Sequence, residues 1–276
     1  MAVARVLLVA VALGSFAVPA PSRGAPHDLR HDLRVDVPVT VTAAALWIGT
    51  ELAKDRLAPS SCRICDGNGL DDRARARLVW KDKPDVARHG SDLLAMVLLP
   101  AAAFGHSALA ARDAGAPREA LVDALVIGEA VALSASLNQL VKFAVARQRP
   151  FVRFRNFEET DREGESDDYL SFYSGHTALA FSTVAAAATV AQLRGYESAP
   201  WVWGVGVAGA ASVGYLRIAA DKHYLTDVLT GAVVGTLVGI AAPRLLHPRE
   251  RGGAGENGQA ISVTVVPLPL GVAFAF

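Results

Sequence analysis

Six stretches of this chain are apolar over most of the length of a bilayer-crossing helix: residues 37–52, 92–111, 120–146, 177–193, 201–219 and 225–246. About 20 apolar residues in helical form span the hydrocarbon of a membrane. Backbone placed there must satisfy its own hydrogen bonds, which restricts such segments to helices. The expected fold is therefore all-α, a bundle of about six long apolar helices. A hydrophobic content of 52% and a mean hydropathy of +0.30 agree with this. Four of the segments are nearly free of charge, which favours a membrane-embedded bundle over a soluble one with buried core helices. The third segment carries Asp123, Glu129, Asn138 and Gln139. These should face other helices and not lipid. The run Gly231-Ala-Val-Val-Gly235 suits close helix packing.

The polar stretches divide the chain further. Residues 1–20 read as a signal peptide or an uncleaved anchor, with Arg5 ahead of the apolar run 6–13 and small residues after it. Residues 30–90 hold the first helix and a polar, turn-rich loop containing Cys62 and Cys65, residues 91–247 the helical core, and residues 248–276 a Gly-rich linker and an apolar tail. The alternation in that tail resembles a β-strand. Two thiols spaced C-x-x-C cannot supply the four ligands of a structural zinc site. In an exported chain they imply a local Cys62–Cys65 disulfide. The many acids of residues 151–172 read as a solvated loop rim. Lys plus Arg equals Asp plus Glu at 27 each, so there is no basic excess for a nucleic-acid partner.

Three polar clusters fall at segment ends. Lys142 and Arg149-Pro150 close the third segment. Seven apart, the two cations could share a helix face, although Pro150 disfavours helix at Arg149 and implies a turn. Ser174-Gly175-His176 opens the fourth segment. Ser174 suits a helix N-cap, and Gly175 permits close backbone approach. Arg217 ends the fifth segment, and His223 and Asp227 enter the sixth. An i, i+4 pair shares a helix face, so Asp227 could fix the tautomer of His223. Each cluster alone has a structural explanation, whether snorkelling cations, ordinary capping or a His–Asp pair. With segments that alternate in direction, however, all three clusters lie on one side of the bundle.

The ordered set Lys-x6-Arg-Pro, Ser-Gly-His and Arg-x5-His-x3-Asp resembles the three-part signature of the type 2 phosphatidic acid phosphatases, a superfamily that also includes bacterial acid phosphatases and vanadium haloperoxidases. The resemblance covers roughly residues 90–245. Tyr173 stands where the family usually has Pro, and Leu216 where it usually has Ser. The resemblance implies a metal-independent phosphatase without cofactor. His223 would be the nucleophile, Asp227 its orienting carboxylate and His176 the general acid. Lys142, Arg149, Arg217, Ser174 and Gly175 would bind the phosphoryl oxygens. The implied substrates are lipid phosphates or pyrophosphates of the phosphatidic acid, isoprenyl or lipid A type. The implied place is a bacterial cell envelope, with the site toward the periplasm. A soluble periplasmic acid phosphatase is the main alternative; a haloperoxidase and an inactive membrane scaffold are weaker ones. If the leader is cleaved and the first segment crosses, the site faces the cytoplasm. A periplasmic site then requires a first segment that does not cross, a leader that is not a simple span, or a soluble protein.

Overall fold

The computed structural model describes residues 25–154 and 167–250, together with the backbone of 264–268 and 271–275; the expected leader, residues 1–20, lies outside the described residues. Helix α1 (Leu33–Leu52) starts four residues earlier than expected because Asp32 caps it, accepting from the Arg34 amide. The stretch after it is more ordered than a turn-rich loop. It forms α2 (Lys54–Leu57) and α3 (Gly69–Leu78), the latter capped by Asn68 through the Leu70 and Asp71 amides. Pro84 then opens α4 (Pro84–Leu93), which runs through a π-helical turn, Leu94–Leu98, into α5 (Leu99–Asp113). The second span therefore begins about two turns before its apolar stretch. Pro at the first helical position followed by an acid, Asp85, is a start signal outside any hydrophobic window.

The remaining spans follow the apolar pattern closely: α6 (Glu119–Val145), then the short α7 (Pro150–Arg153), then α8 (Gly175–Arg194), α9 (Ala199–Ala219) and α10 (Leu225–Leu246). The tail forms not one strand but two, β1 (Thr264–Leu268) and β2 (Gly271–Ala275). They pair antiparallel, with Thr264 opposite Ala275.

The Ala-rich α8 is the centre of the bundle, with α5, α6, α9 and α10 packed on it. Its most apolar window is 78% buried, against 11% in α1 and 33% in α9 and α10. Helix α10 shows how this is achieved. Gly231, Gly235 and Gly239 recur every four residues on the face toward α8. A Cβ on Gly231 would lie 2.7 Å from the Ser174 carbonyl oxygen, and one on Gly239 2.7 Å from that of Ser182. Leu229, Val233 and Leu237, offset by half a helical turn, point outward and are exposed. Small residues inside and large apolar ones outside is the inverse of a water-soluble helix. It matches packing in lipid, where close backbone approach replaces the hydrophobic drive. Six described helices are long and apolar enough to cross a bilayer, and the chain is built as an integral membrane protein. The four polar residues of α6 are buried as expected. Asp123, for example, accepts from Arg194, Ser107 and Tyr196.

The six spans alternate in direction. The chain segments before α1 and after α10 therefore meet at one end, where Leu29 bridges Arg249 and the His27 amide donates to the Arg194 carbonyl. The three polar clusters lie at the other end.

Candidate active site

At that second end a cavity of about 880 Å³ opens. Lys142, Arg149, Gly175, His176, Arg217 and His223 all line it. The structure thus brings together the two imidazoles and the three cations anticipated from separate clusters. Ser174 and Asp227 do not line it. Ser174 sits at the N-cap position of α8, but its hydroxyl is buried against that of Thr177, 2.9 Å away, and caps nothing.

Lys142 and Arg149 reach the cavity by a different route from a shared helix face. Ala146 ends α6 in the left-handed conformation, φ 49°, and Arg149 is extended, ψ 151°, as its neighbour Pro150 dictates. Between them the chain runs beside the Cys62–Cys65 turn, which is closed by the disulfide. The Arg63 amide donates to the Ala146 carbonyl at 2.9 Å, and the Gln148 amide to the Ile64 carbonyl at 3.0 Å. The cysteine turn thereby braces the segment that presents Arg149. Arg149 is itself held by the carbonyls of Asp167 (2.7 Å) and Lys222 (3.0 Å).

His223 is not on α10 but in the turn that precedes it. That turn is formed as the Lys222 and His223 amides fold back on the Arg217 carbonyl and Asp221 takes positive φ. The imidazole is 2% exposed. Its Nδ1 is 2.8 Å from the Ser171 carbonyl oxygen and its Nε2 3.3 Å from Arg149 Nη1. A carbonyl can only accept, so Nδ1 carries the proton. Nε2 is left with a lone pair that accepts from the guanidinium. Burial, and then the charges of Arg149, Arg217 and Lys142, hold this imidazole neutral to well below the ordinary 6.5.

The expected direct bond from Asp227 to His223 is replaced by an indirect one. Asp227 Oδ2 stands 3.7 Å from Nδ1. It accepts instead from the Ser171 hydroxyl (2.6 Å) and the Tyr224 amide (3.0 Å), and so ties together the residues on either side of the imidazole. Its other oxygen accepts from Arg147, which also donates to Asp71 (2.8 Å) and the Thr226 hydroxyl (2.8 Å) and lies over the Tyr224 ring.

His176 Nε2 lies 2.9 Å from Asp92 Oδ1, an oxygen that Arg217 also reaches at 3.2 Å. Gly175 is required by crowding, since a Cβ there would meet Asn138 Oδ1 at 2.8 Å and Lys142 Nζ at 3.4 Å. Asn138 in turn donates to the Tyr173 carbonyl at 2.8 Å. Asp167, expected on a solvated rim, enters the cavity and pairs with Arg149 at 2.7 Å and Lys54 at 3.5 Å. Burial alone would raise its pKa, but Arg149, Lys142 and Lys54 outweigh this and hold it far below the ordinary carboxylate range. Asp92, Asp167, Arg147 and Ser171 are thus site residues that sequence reasoning missed. Arg147 lies between Lys142 and Arg149, and Ser171 stands three residues before Ser174. Asp92 and Asp167 looked like ordinary segment-end and loop acids.

Residues 123–251, which supply both imidazoles and the cations Lys142, Arg149 and Arg217, match the family model of the PAP2 superfamily. This region, just under half of the chain, is similar to the PAP2 superfamily. Its curated relatives include the lipid A 1-phosphatase of Porphyromonas gingivalis, 44% identical over 69 residues, which are 25% of this chain and 15% of the relative. Phospholipid phosphatase 2 of Homo sapiens is 29% identical over 133 residues, 39% of this chain and 45% of the relative. The chain thus spans less than half the length of either relative. Among solved structures, a transmembrane PAP2 type phosphatidylglycerolphosphate phosphatase from Bacillus subtilis matches over 75% of this chain and 93% of that one, with 18% identity and a TM-score of 0.43.

Proposed function

We propose that this chain is a phosphatase of the PAP2 type that hydrolyses phosphate monoesters or pyrophosphates of lipids through a phosphohistidine on His223. The observation that carries this is the cavity itself. A neutral imidazole, with its lone pair on Nε2, shares one cavity with Lys142, Arg149, Arg217 and a second imidazole. Phosphoryl transfer requires an in-line nucleophile and fixed positive charge around three equatorial oxygens. Three cations beside the nucleophile supply that charge from side chains, so the reaction is proposed to be metal-independent.

The steps follow from the placement of protons. Nε2 of His223 attacks phosphorus while Nδ1–H stays with the Ser171 carbonyl, and the P–O bond to the alcohol breaks. His176, paired with Asp92, holds a proton and gives it to the departing alkoxide. Neutral His176 then takes a proton from water as the water attacks the phosphohistidine. Inorganic phosphate leaves, and Nε2 recovers its lone pair. Asp227 acts by holding Ser171 and the turn that carries His223.

A lipid substrate is favoured by the large apolar residues Trp47, Met96 and Leu179, which line the cavity together with the cations. The Cys62–Cys65 disulfide lies on the face that bears the site. Disulfides persist in oxidising compartments, which supports a bacterial envelope protein with its site toward the periplasm. Because α1 is long and apolar enough to cross, this orientation starts residue 25 on the cytoplasmic side and makes the leader something other than a cleaved export signal. The test is release of inorganic phosphate from a panel of lipid and soluble phosphates by purified protein in detergent, with trapping of acid-labile phosphate on the chain. Release from lipid substrates and loss of trapping in His223→Ala are expected. Undiminished turnover by His223→Ala would remove the nucleophile.

A further inference from the structure

A second cluster of ionisable groups lies at the end of the bundle away from the cavity, in a place the phosphatase chemistry does not use. Asp36 of α1, Glu129 of α6 and His247 at the end of α10 each offer one ligand atom, and these atoms lie within 4.8 Å of one another. His247 is fully buried and Glu129 is 1% exposed. Nε2 of His247 and Oε2 of Glu129 face each other at 3.4 Å, yet neither has a hydrogen-bond partner. Two buried polar atoms left unpaired in this way each cost free energy, and something must offset it.

We infer that Asp36, Glu129 and His247 form a buried binding site for a divalent transition metal of the zinc class, with a water molecule as the fourth ligand. The tautomer fits. Nδ1 of His247 lies 3.1 Å from the Arg30 carbonyl oxygen, so Nδ1 carries the proton and Nε2 is free to ligate. A backbone carbonyl behind a ligating imidazole is the usual outer-shell arrangement. The spacing also fits, because ligand atoms about 2.0–2.1 Å from a tetrahedral zinc ion stand roughly 3.3 Å apart. The Nε2–Oε2 pair is already close to this separation; Asp36 Oδ2 stands 3.9 Å from Nδ1 of the same ring and accepts from the Asp32 amide at 2.7 Å, so the ion would draw on the other carboxylate oxygen of Asp36. One imidazole and two carboxylates suit zinc better than calcium or magnesium, which prefer all-oxygen shells. A bound ion would pin α1 and α10 to α6 at the end where the segments flanking the bundle meet, leaving the catalytic cavity untouched.

The test uses the full chain in detergent, stripped with chelator and titrated with zinc. One equivalent of zinc per chain is expected, with a rise in thermal unfolding temperature. Glu129→Gln and Asp36→Asn keep size and shape, and each should lose zinc affinity by about 100-fold or more. X-ray absorption on the wild-type protein should show a nitrogen and oxygen shell at about 2.0–2.1 Å, which needs no variant to fold. Zinc that leaves the unfolding temperature unchanged, or that binds folded Glu129→Gln as tightly as wild type, would overturn the site. Phosphate release per folded molecule should not depend on zinc, so this result stands apart from the phosphatase assignment.

Discussion

Gly231→Ala tests whether the packing of α10 on α8 sets the catalytic geometry. The added Cβ would lie 2.7 Å from the Ser174 carbonyl oxygen, about 0.7 Å short of ordinary contact, and 3.3 Å from Thr177 Cβ. Both neighbours belong to the start of α8, whose backbone cannot rotate away, so the helices must separate at this point. Overpacking of this kind costs about 1–3 kcal/mol, while the better helix propensity of Ala returns about 1 kcal/mol. The net loss of stability is therefore on the order of 1 kcal/mol. The catalytic effect should exceed the stability effect. His223 precedes α10 and His176 opens α8, so a shift of most of an ångström between the helices moves one imidazole against the other. Misplacement by about 1 Å costs roughly 100-fold in rate, and a loss of at least about 10-fold in kcat is expected here. Gly239→Ala makes an equal overlap with the Ser182 carbonyl, two turns further along. It should lower the unfolding temperature as much but kcat far less. Gly128→Ala, inside α6, meets nothing within 4 Å; it should leave kcat unchanged and raise the unfolding temperature slightly. Phosphate release and thermal unfolding of the three variants in detergent decide the matter. Gly231→Ala with wild-type kcat, or with a loss no greater than Gly239→Ala, would refute the coupling of packing to catalysis.

Replacing Arg147 by Met leaves Asp227 and Asp71 buried without their shared cation, and should cost about 3–5 kcal/mol in denaturant unfolding; an unchanged midpoint would show that this network holds nothing. The depressed pKa of His223 means that the nucleophile stays neutral as pH falls through 6.5. The acidic limb of kcat/KM should therefore lie below that value, and a limb at or above 6.5 would contradict the burial argument. The sign for stability is the same. An unfolded imidazole takes up a proton below 6.5 while the folded one does not, so unfolding should become easier as pH falls through that range. Asp167→Asn removes the anion that occupies Arg149 and should tighten inhibition by inorganic phosphate or vanadate several-fold; weaker inhibition would show that Asp167 shapes the site and does not compete for it.

The spans of α6, α8, α9 and α10 were legible in the sequence because apolar length and segment-end punctuation are local properties. So was the identity of the two imidazoles and three cations, because alternating helix direction brings segment ends to one side whatever the details of packing. Details that depend on contacts between distant segments were not legible. Ser171 takes the place expected of Asp227 at Nδ1 of His223, because the turn after α9 moves His223 off the helix. Lys142 and Arg149 reach one cavity through the αL residue Ala146 and the turn at Arg149 that Pro150 implies, and the αL residue had no local signal. Asp92 and Asp167 become site residues only because α4 and the loop before α8 fold over the cations. Local sequence sets which segments are helical and which residue types stand at their ends. The choice of hydrogen-bond partner inside the cavity is decided by a few ångströms of relative placement, and only the packed bundle fixes that.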